Sequence, residues 1–581
     1  MGRTHLIAIL LLVTGYCGAP LAQVAPDFAA DTKTYLGRLE KLGFAGSIMV
    51  VVGEEVVVAE GYGDAKRDPS VRWTPGTVST IGSITKQFTA AAIMRLQEEG
   101  KLSVDDTLEQ HFKDVPTDKA GITLHQLLSH SSGIFDPPGI DDFDENTRDE
   151  YVRLVLDAPL GAEPGTHYEY ANANFSLLGA IIEQITGMSY EEAMRELIFE
   201  PAGLKLTGYT IPDYSGVTIA DGYQGDERWG TVLERPMADD GPYWALRANG
   251  GIYSTAEEMV KWGQALLNDE VLSRQSRDAM WSRHIDESNA GEGESFYGYG
   301  WVVMEPEPGV EVITHNGGNG ILFADMTIIP SAGVIAFVQT NVISTFRPTN
   351  DLLGQLLRRM RGEPYPDVPV VVDVDPAGLQ KWIGTYKLDG DDTLEIAVDG
   401  QTLRVTPSGW TAFAAVRSVP EQDTAPLLKM SAEIDRIVGS YLAGDFQPIH
   451  DAYRGQVTVE RLKEMHENRE AERVAEYGAF QGYEVLGTGT GEEYHFTLVR
   501  FRYEREPILR TYVWSRGDET NLLGITTRHM DPACRFFPVE GGGFQSWEPS
   551  TGESVAAKFD DNSSGAAFIL MRVAGEVEAR R

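Results

Sequence analysis

The sequence predicts a mixed α/β (α+β) protein of several domains, and three observations carry that expectation. Two Val-rich runs between Phe44 and Gly63 flank a Gly-Glu turn and read as a β-hairpin. A long apolar helix then opens at Ser83, and strand texture returns after His315. Beyond Gly362 the texture changes to short alternating strands, two helices and further strands. The chain has 581 residues, too many for one core, and about two to four domains is the prior for such a length.

Taken in order, residues 1–22 read as a signal peptide. Arg3 and His5 precede the apolar Leu6 to Val13, and Pro20-Leu21-Ala22 ends on a small residue. The apolar run is too short to span a bilayer, and no other segment qualifies, so no stable membrane insertion is expected and the destination is secreted or periplasmic. Cys17 follows Tyr16 where a lipidated signal wants a small residue, so no lipid is expected there. Cleavage leaves Cys534 as the lone cysteine, without an internal disulfide, and a buried small residue is the expectation for it.

Residues 24–361 form the first expected domain and 362–376, rich in Pro and Val, a linker. Residues 377–430 open a small antiparallel β-barrel, with Gly384 to Leu388, Leu394 to Val398 and Leu403 to Pro407 as strands. From 431 to 530 the pattern is helical and then β. Ile434, Ile437, Val438, Tyr441 and Leu442 share a helix face, Val459 to Tyr477 is a second helix, and strands follow at Tyr483, Tyr494, Arg510 and Leu522. Residues 531–581 return to strand texture. Three early strands alone would leave unpaired edges, so the tail is expected to complete the barrel around an inserted α+β segment. Arg510, Tyr512 and Trp514 alternate there; the expectation is one face of a strand rather than a pocket lining.

The net charge is -38, from 87 acidic and 49 basic residues, which argues against nucleic acid and anionic membrane surfaces as partners. The run Asp141-Asp142-Phe143-Asp144-Glu145-Asn146 lacks the spacing of an EF-hand and reads as a solvated loop. His125 and His130 have no carboxylate or cysteine pattern to complete a metal site. No metal and no cofactor are expected, and the oligomeric state is left open.

The chemistry concentrates in three stretches. Ser83-Ile84-Thr85-Lys86 places an amine and a hydroxyl three apart on a helix, where side chains are neighbours. A serine hydroxyl needs a nearby base to become a nucleophile, and a helix N-terminus favours developing negative charge. The bland alternative is a helix-capping serine beside a solvated lysine. Tyr170 and Asn172 stand two apart before the apolar helix of Asn174 to Gly179, and His315-Asn316-Gly317-Gly318 precedes the strand-like Ile321 to Ile329.

Ser-x-x-Lys, Tyr-x-Asn and His-x-Gly in this order resemble the serine β-lactamase and penicillin-binding protein superfamily, on its class C-like branch. Further segments share the resemblance: the hairpin at Phe44, Thr74-Pro75-Gly76-Thr77, Leu124 to Gly133, and Gly250 to Thr255. Together they cover about residues 30 to 360. The resemblance implies a two-lobe design, an antiparallel sheet flanked by helices beside an all-helical lobe, with the nucleophile in the cleft. The C-terminal part is similar to lipocalin-like and NTF2-like modules.

By resemblance, Ser83 attacks an acyl carbonyl, Lys86 assists proton removal and holds Tyr170, and Tyr170 serves as general base and then acid. Asn172 orients Lys86 and the substrate, the backbone N–H groups of Ser83 and Gly318 form an oxyanion hole, and Gly317 and Gly318 let the substrate approach. His315 stands where β-lactamases carry lysine, a titrating side chain in place of a permanent charge. The function implied is an exported serine acyl hydrolase acting through an acyl-enzyme on small esters or D-amino-acid peptides and amides. A β-lactamase or DD-carboxypeptidase, and a non-catalytic ligand-binding protein of the same fold, are the alternatives.

Overall fold

The computed structural model describes residues 24–581 apart from 138, 226, 289–293, 343–348, 389, 418, 420, 456, 491–493, 516–520, 527–532, 548–553, 563–564 and 573–574. The expected signal peptide lies outside the described residues. The chain divides into two units, ending and resuming at Tyr365 and Pro366.

The first unit is organised by an eight-stranded antiparallel sheet. Its strands are β1 (Gly46–Val52), β2 (Glu55–Tyr62), β3 (Ile285–Asp286), β4 (Ser295–Tyr297), β5 (Val302–Glu307), β6 (Val310–Gly318), β7 (Phe323–Ile329) and β8 (Val334–Thr340). They lie side by side as β2-β1-β8-β7-β6-β5-β4-β3, so the N-terminal hairpin returns to pair with the last strand, Gly46 opposite Thr340. The β1–β2 turn is tight because Gly53 takes φ +61°, the conformation a two-residue hairpin wants at its first position. Every residue of β7 and β8 is buried, as befits strands covered on both faces. Helix α1 (Phe28–Lys41) packs on β2. Helix α2 (Thr85–Glu98) packs on α3 (Asn172–Thr186), α4 (Ala256–Leu267) packs on β1 and β8, and α5 (Thr349–Met360) packs on β7 and β8. Helix α2 is apolar nearly all round, from Phe88 through Ala90-Ala91-Ala92 to Met94, and is buried accordingly. Helix α3 stops at Gly187, whose φ of +72° gives a left-handed cap.

The second unit contains a closed barrel of eight antiparallel strands. Its first three run from Gly384–Lys387 through Thr393–Asp399 to Thr402–Ser408; its last five run from Cys534–Pro538 to Gly575–Arg580. Leu403 pairs with Phe536 across the intervening segment, and Lys387 pairs with Arg580 to join the first strand to the last and close the ring. Between Ser408 and Cys534 the chain builds a four-stranded antiparallel sheet packed against helices.

Three details differ from the sequence reading. The helix expected from Ser431 begins at Glu421, because Leu427 and Met430 continue its buried face backwards past Pro426. The last barrel strand, Gly575–Arg580, was hidden by its charges, with Ala579 facing the core. Cys534 is half-buried rather than buried. Among the described residues no helix is long and apolar enough to cross a membrane.

Candidate active site

Ser83 lies in a short 3-10 turn, Gly82–Ile84, that runs directly into α2. The turn is wedged against the end of β6. A Cβ on Gly317 would lie 2.4 Å from the Ser83 nitrogen and 2.1 Å from the Ile81 oxygen, and one on Gly82 would lie 2.3 Å from the Gly318 nitrogen. Gly82 also takes φ +52°. Backbone approaches backbone here so closely that only glycine fits.

Lys86 sits one turn into α2 and is fully buried. Its Nζ donates to Asn172 Oδ1 at 2.8 Å, to the Asn249 carbonyl at 2.8 Å and to Ser83 Oγ at 3.2 Å. It also stands 4.7 Å from the centre of the Tyr170 ring. Burial pushes this amine down to about 7, against the opposing pull of Asp136 and Asp142. Asn172 begins α3, whose N-terminus is held by Asp136 accepting from the Ala173 N–H at 2.8 Å.

The Tyr170 hydroxyl is buried, and among the described residues its polar neighbour is the Ser83 hydroxyl, outside good hydrogen-bond geometry. Burial raises its pKa well above the ordinary phenol value, although the neighbouring Ser83 hydroxyl pulls the other way. Its ring rests 4.3 Å from that of His130. His130 is buried, with φ +55°, and its Nδ1 accepts from the Ala171 N–H and from Asn174 Nδ2 at 3.3 and 3.1 Å. His125 instead shares a 2.7 Å hydrogen bond with Tyr299.

His315 lies on β6, 6.4 Å from the Tyr170 ring between centroids. Its Nδ1 donates to the Asn316 carbonyl at 2.6 Å, since a carbonyl oxygen only accepts. Its Nε2 therefore accepts from the Tyr297 hydroxyl at 2.9 Å. Burial, then the Lys86 charge, push this imidazole down to about 3. The near-neutral titration expected for His315 is thus corrected: it stays uncharged because water is excluded. The acidic run at 141–146 also differs in part from a solvated loop. Asp142 turns inward, and burial raises its carboxyl to about 6.

The structure therefore brings together all of Ser83, Lys86, Tyr170, Asn172, His315, Gly317 and Gly318. Sequence reasoning missed Asn249 and Tyr297. Asn249 acts through its backbone carbonyl, which no side-chain pattern reveals. Tyr297 lies on β4, two strands away from β6, and only the sheet order joins them.

A hydroxyl beside a desolvated amine, with backbone N–H groups crowded against the same turn, is an arrangement suited to acyl transfer. A family model described as Beta-lactamase matches residues 37–358, more than half of the chain. The protein belongs to the beta-lactamase family, within the serine hydrolase superfamily that also holds penicillin-binding proteins. It is 30% identical over 259 residues to the putative penicillin-binding protein PbpX of Bacillus subtilis (strain 168), covering 45% of this chain and 63% of that one. It is 27% identical over 389 residues to the D-alanyl-D-alanine-carboxypeptidase/endopeptidase AmpH of Escherichia coli (strain K12), covering 62% of this chain and 98% of that one. Among solved structures, the octameric penicillin-binding protein homologue from Pyrococcus abyssi overlaps 94% of this chain and 99% of its own at 21% identity, with a TM-score of 0.49.

Proposed function

We propose that the protein is an exported serine acyl hydrolase that works through an acyl-enzyme on Ser83, with small esters or D-amino-acid peptides and amides as substrates. The observation that carries this reading is Lys86, fully buried, tuned to about 7 and within 3.2 Å of Ser83 Oγ. An amine near neutrality is a competent proton acceptor at physiological pH.

In the proposed reaction Ser83 Oγ attacks the acyl carbonyl and its proton passes to the neutral Lys86 amine. The N–H groups of Ser83 and Gly318 take the oxyanion. Tyr170, a neutral phenol, gives its proton to the departing alcohol or amine and recovers one from Lys86. Water then attacks the acyl-enzyme by the reverse proton route and releases the acid. Asn172 and the Asn249 carbonyl hold Lys86 against Ser83 throughout.

A DD-carboxypeptidase or β-lactamase is the second reading, favoured by the name of the AmpH relative. Against it stands the uncharged His315, which offers no permanent cation to a substrate carboxylate. Export rests on residues 1–22, and N-terminal sequencing of the mature protein tests it. The domain plan proposed is a hydrolase domain at 24–361, a linker at 362–376, and a barrel that holds an NTF2-like insertion.

The experiment is intact mass over time with penicillin, with a p-nitrophenyl ester and with a D-amino-acid amide, beside Ser83→Ala. A +acyl adduct on the native chain, absent in Ser83→Ala, is the expected result. A lasting penicilloyl adduct moves the assignment to the peptidase reading. Equal turnover by Ser83→Ala would overturn Ser83 as the nucleophile.

A further inference from the structure

In the second unit, helices α6 (Glu421–Leu442), α7 (Gln447–Ala452) and α8 (Val459–Tyr477) pack with a sheet that includes β9 (Phe480–Thr490), β10 (Tyr494–Tyr503) and β11 (Ile508–Ser515). One face of this sheet, with Val499, Phe501, Ile508, Tyr512 and Trp514, forms the apolar interior. Arg510 stands on the same face by strand alternation and is only 6% exposed. Its guanidinium carbon lies 4.3 Å over the Phe501 ring. Its Nε is buried without a hydrogen-bond partner, and among the described residues no carboxylate pairs with it. A guanidinium cannot shed its proton, so a desolvated one requires an anion or a full set of acceptors.

The surroundings supply the Tyr512 hydroxyl but, among the described residues, no carboxylate for Arg510. Arg473 on α8 is half-buried nearby, and its carboxylate is Glu470 at 3.7 Å, which also accepts from the Tyr503 hydroxyl at 3.4 Å. Burial and then the Arg510 charge lower the Arg473 pKa, so the two cations feel each other. Beside them Tyr441, Phe446 and His466 form an aromatic wall, with Tyr441 4.7 Å from His466 and 5.2 Å from Phe446, and the His466 Nδ1 is likewise buried without a partner. In a chain with a net charge of -38, two neighbouring arginines with one glutamate, paired to Arg473 alone, are a local exception in an aromatic interior.

We propose that this interior is a binding site for an organic carboxylate with an apolar or aromatic body, anchored by Arg510 and assisted by Arg473. A guanidinium matches a carboxylate in two parallel hydrogen bonds, and the aromatic wall suits an apolar body rather than a bare inorganic anion. The site is independent of the reaction at Ser83.

The test is isothermal titration of the full chain carrying Ser83→Ala with 4-phenylbutyrate, 4-phenylbutyramide and inorganic phosphate. Saturable binding of the carboxylate is expected, with at least about tenfold weaker binding of the amide and in Arg510→Leu, the loss of one charge-assisted pair. Arg473→Gln, at the half-buried rim, should weaken the same binding and carries the test should Arg510→Leu fail to fold. No saturable binding, equal binding of the amide, or binding unchanged by Arg510→Leu and Arg473→Gln would overturn the site. Phosphate binding as tightly as phenylbutyrate would overturn the apolar-body requirement. Binding lost in Lys86→Ala but kept in Arg510→Leu would place the ligand at the other site and refute the proposal.

Discussion

Lys86 in the first unit and Arg510 in the second are both cations buried without an ion-pair partner among the described residues, yet they meet opposite fates. Lys86 is surrounded by Ser83 Oγ, Asn172 Oδ1 and the Asn249 carbonyl, and burial lowers its pKa to about 7. It relieves its desolvation by becoming neutral, and the neutral amine is a base. Arg510 has an aromatic ring beneath it and a bare Nε, and a guanidinium has no neutral form to retreat to. Beyond the Tyr512 hydroxyl, in the proposed site its relief comes from a bound anion. The same physical stress thus tunes one site for proton transfer and the other for recognition, and the choice of side chain decides which.

The comparison breaks most sharply at Ser83. Ser83→Ala should reduce turnover by on the order of 10⁴-fold or more while the melting temperature stays put, read by steady-state assay and calorimetry. Next comes Lys86→Met, with a loss of roughly 10²–10⁴-fold. The native enzyme should show kcat/KM rising with pH through about 7, because the amine acts only when neutral, and this limb should vanish in Lys86→Met. An acid limb unaffected by the substitution would assign the base elsewhere. Stability sharpens the same point. The unfolded lysine titrates near 10.5 and the folded one near 7, so between them the unfolded chain holds the extra proton and stability rises with pH. Urea midpoints across that window should lose part of this slope in Lys86→Met.

Gly317→Ala should follow, at about 10²-fold in kcat, since its Cβ would push β6 from the Ser83 turn and misplace the oxyanion donors. Normal turnover in that variant would mean that the crowding at this turn is unrelated to catalysis. The smallest effect is expected from Tyr297→Phe. It leaves His315 Nε2 buried and unpaired, a cost of about 1–3 kcal/mol in stability, with a modest fall in kcat. Denaturant melts of the variant beside His315→Ala, and of the double variant, measure whether the two residues act as a pair.

Local geometry made part of this legible without any fold. Ser83 and Lys86 are three apart, and any helix through them brings hydroxyl and amine together. The Val-rich hairpin and the apolar α2 follow from alternation and period in the same way. Tyr170, Asn172, His315, Gly317 and Gly318 were legible only through their order as motifs, because roughly ninety to more than two hundred residues separate them from Ser83. Nothing pointed to Tyr297, whose link to His315 crosses an intervening strand, or to Asn249, which contributes a backbone oxygen. The strand carrying Arg510 was readable from its alternation, but its lack of a carboxylate partner among the described residues was not.

By itself, then, the sequence determined the mixed α/β class and the helix that carries the Ser83–Lys86 pair, which depend on neighbours a few residues apart, and the acidic balance, which is a sum over the chain. Only the tertiary structure decided the charge states. How far an amine, a phenol or an imidazole shifts depends on the water removed around it, and that is set by side chains arriving from distant strands and helices. Burial kept His315 neutral and brought Lys86 near neutrality, and the packing of the second unit left Arg510 without a carboxylate among the described residues.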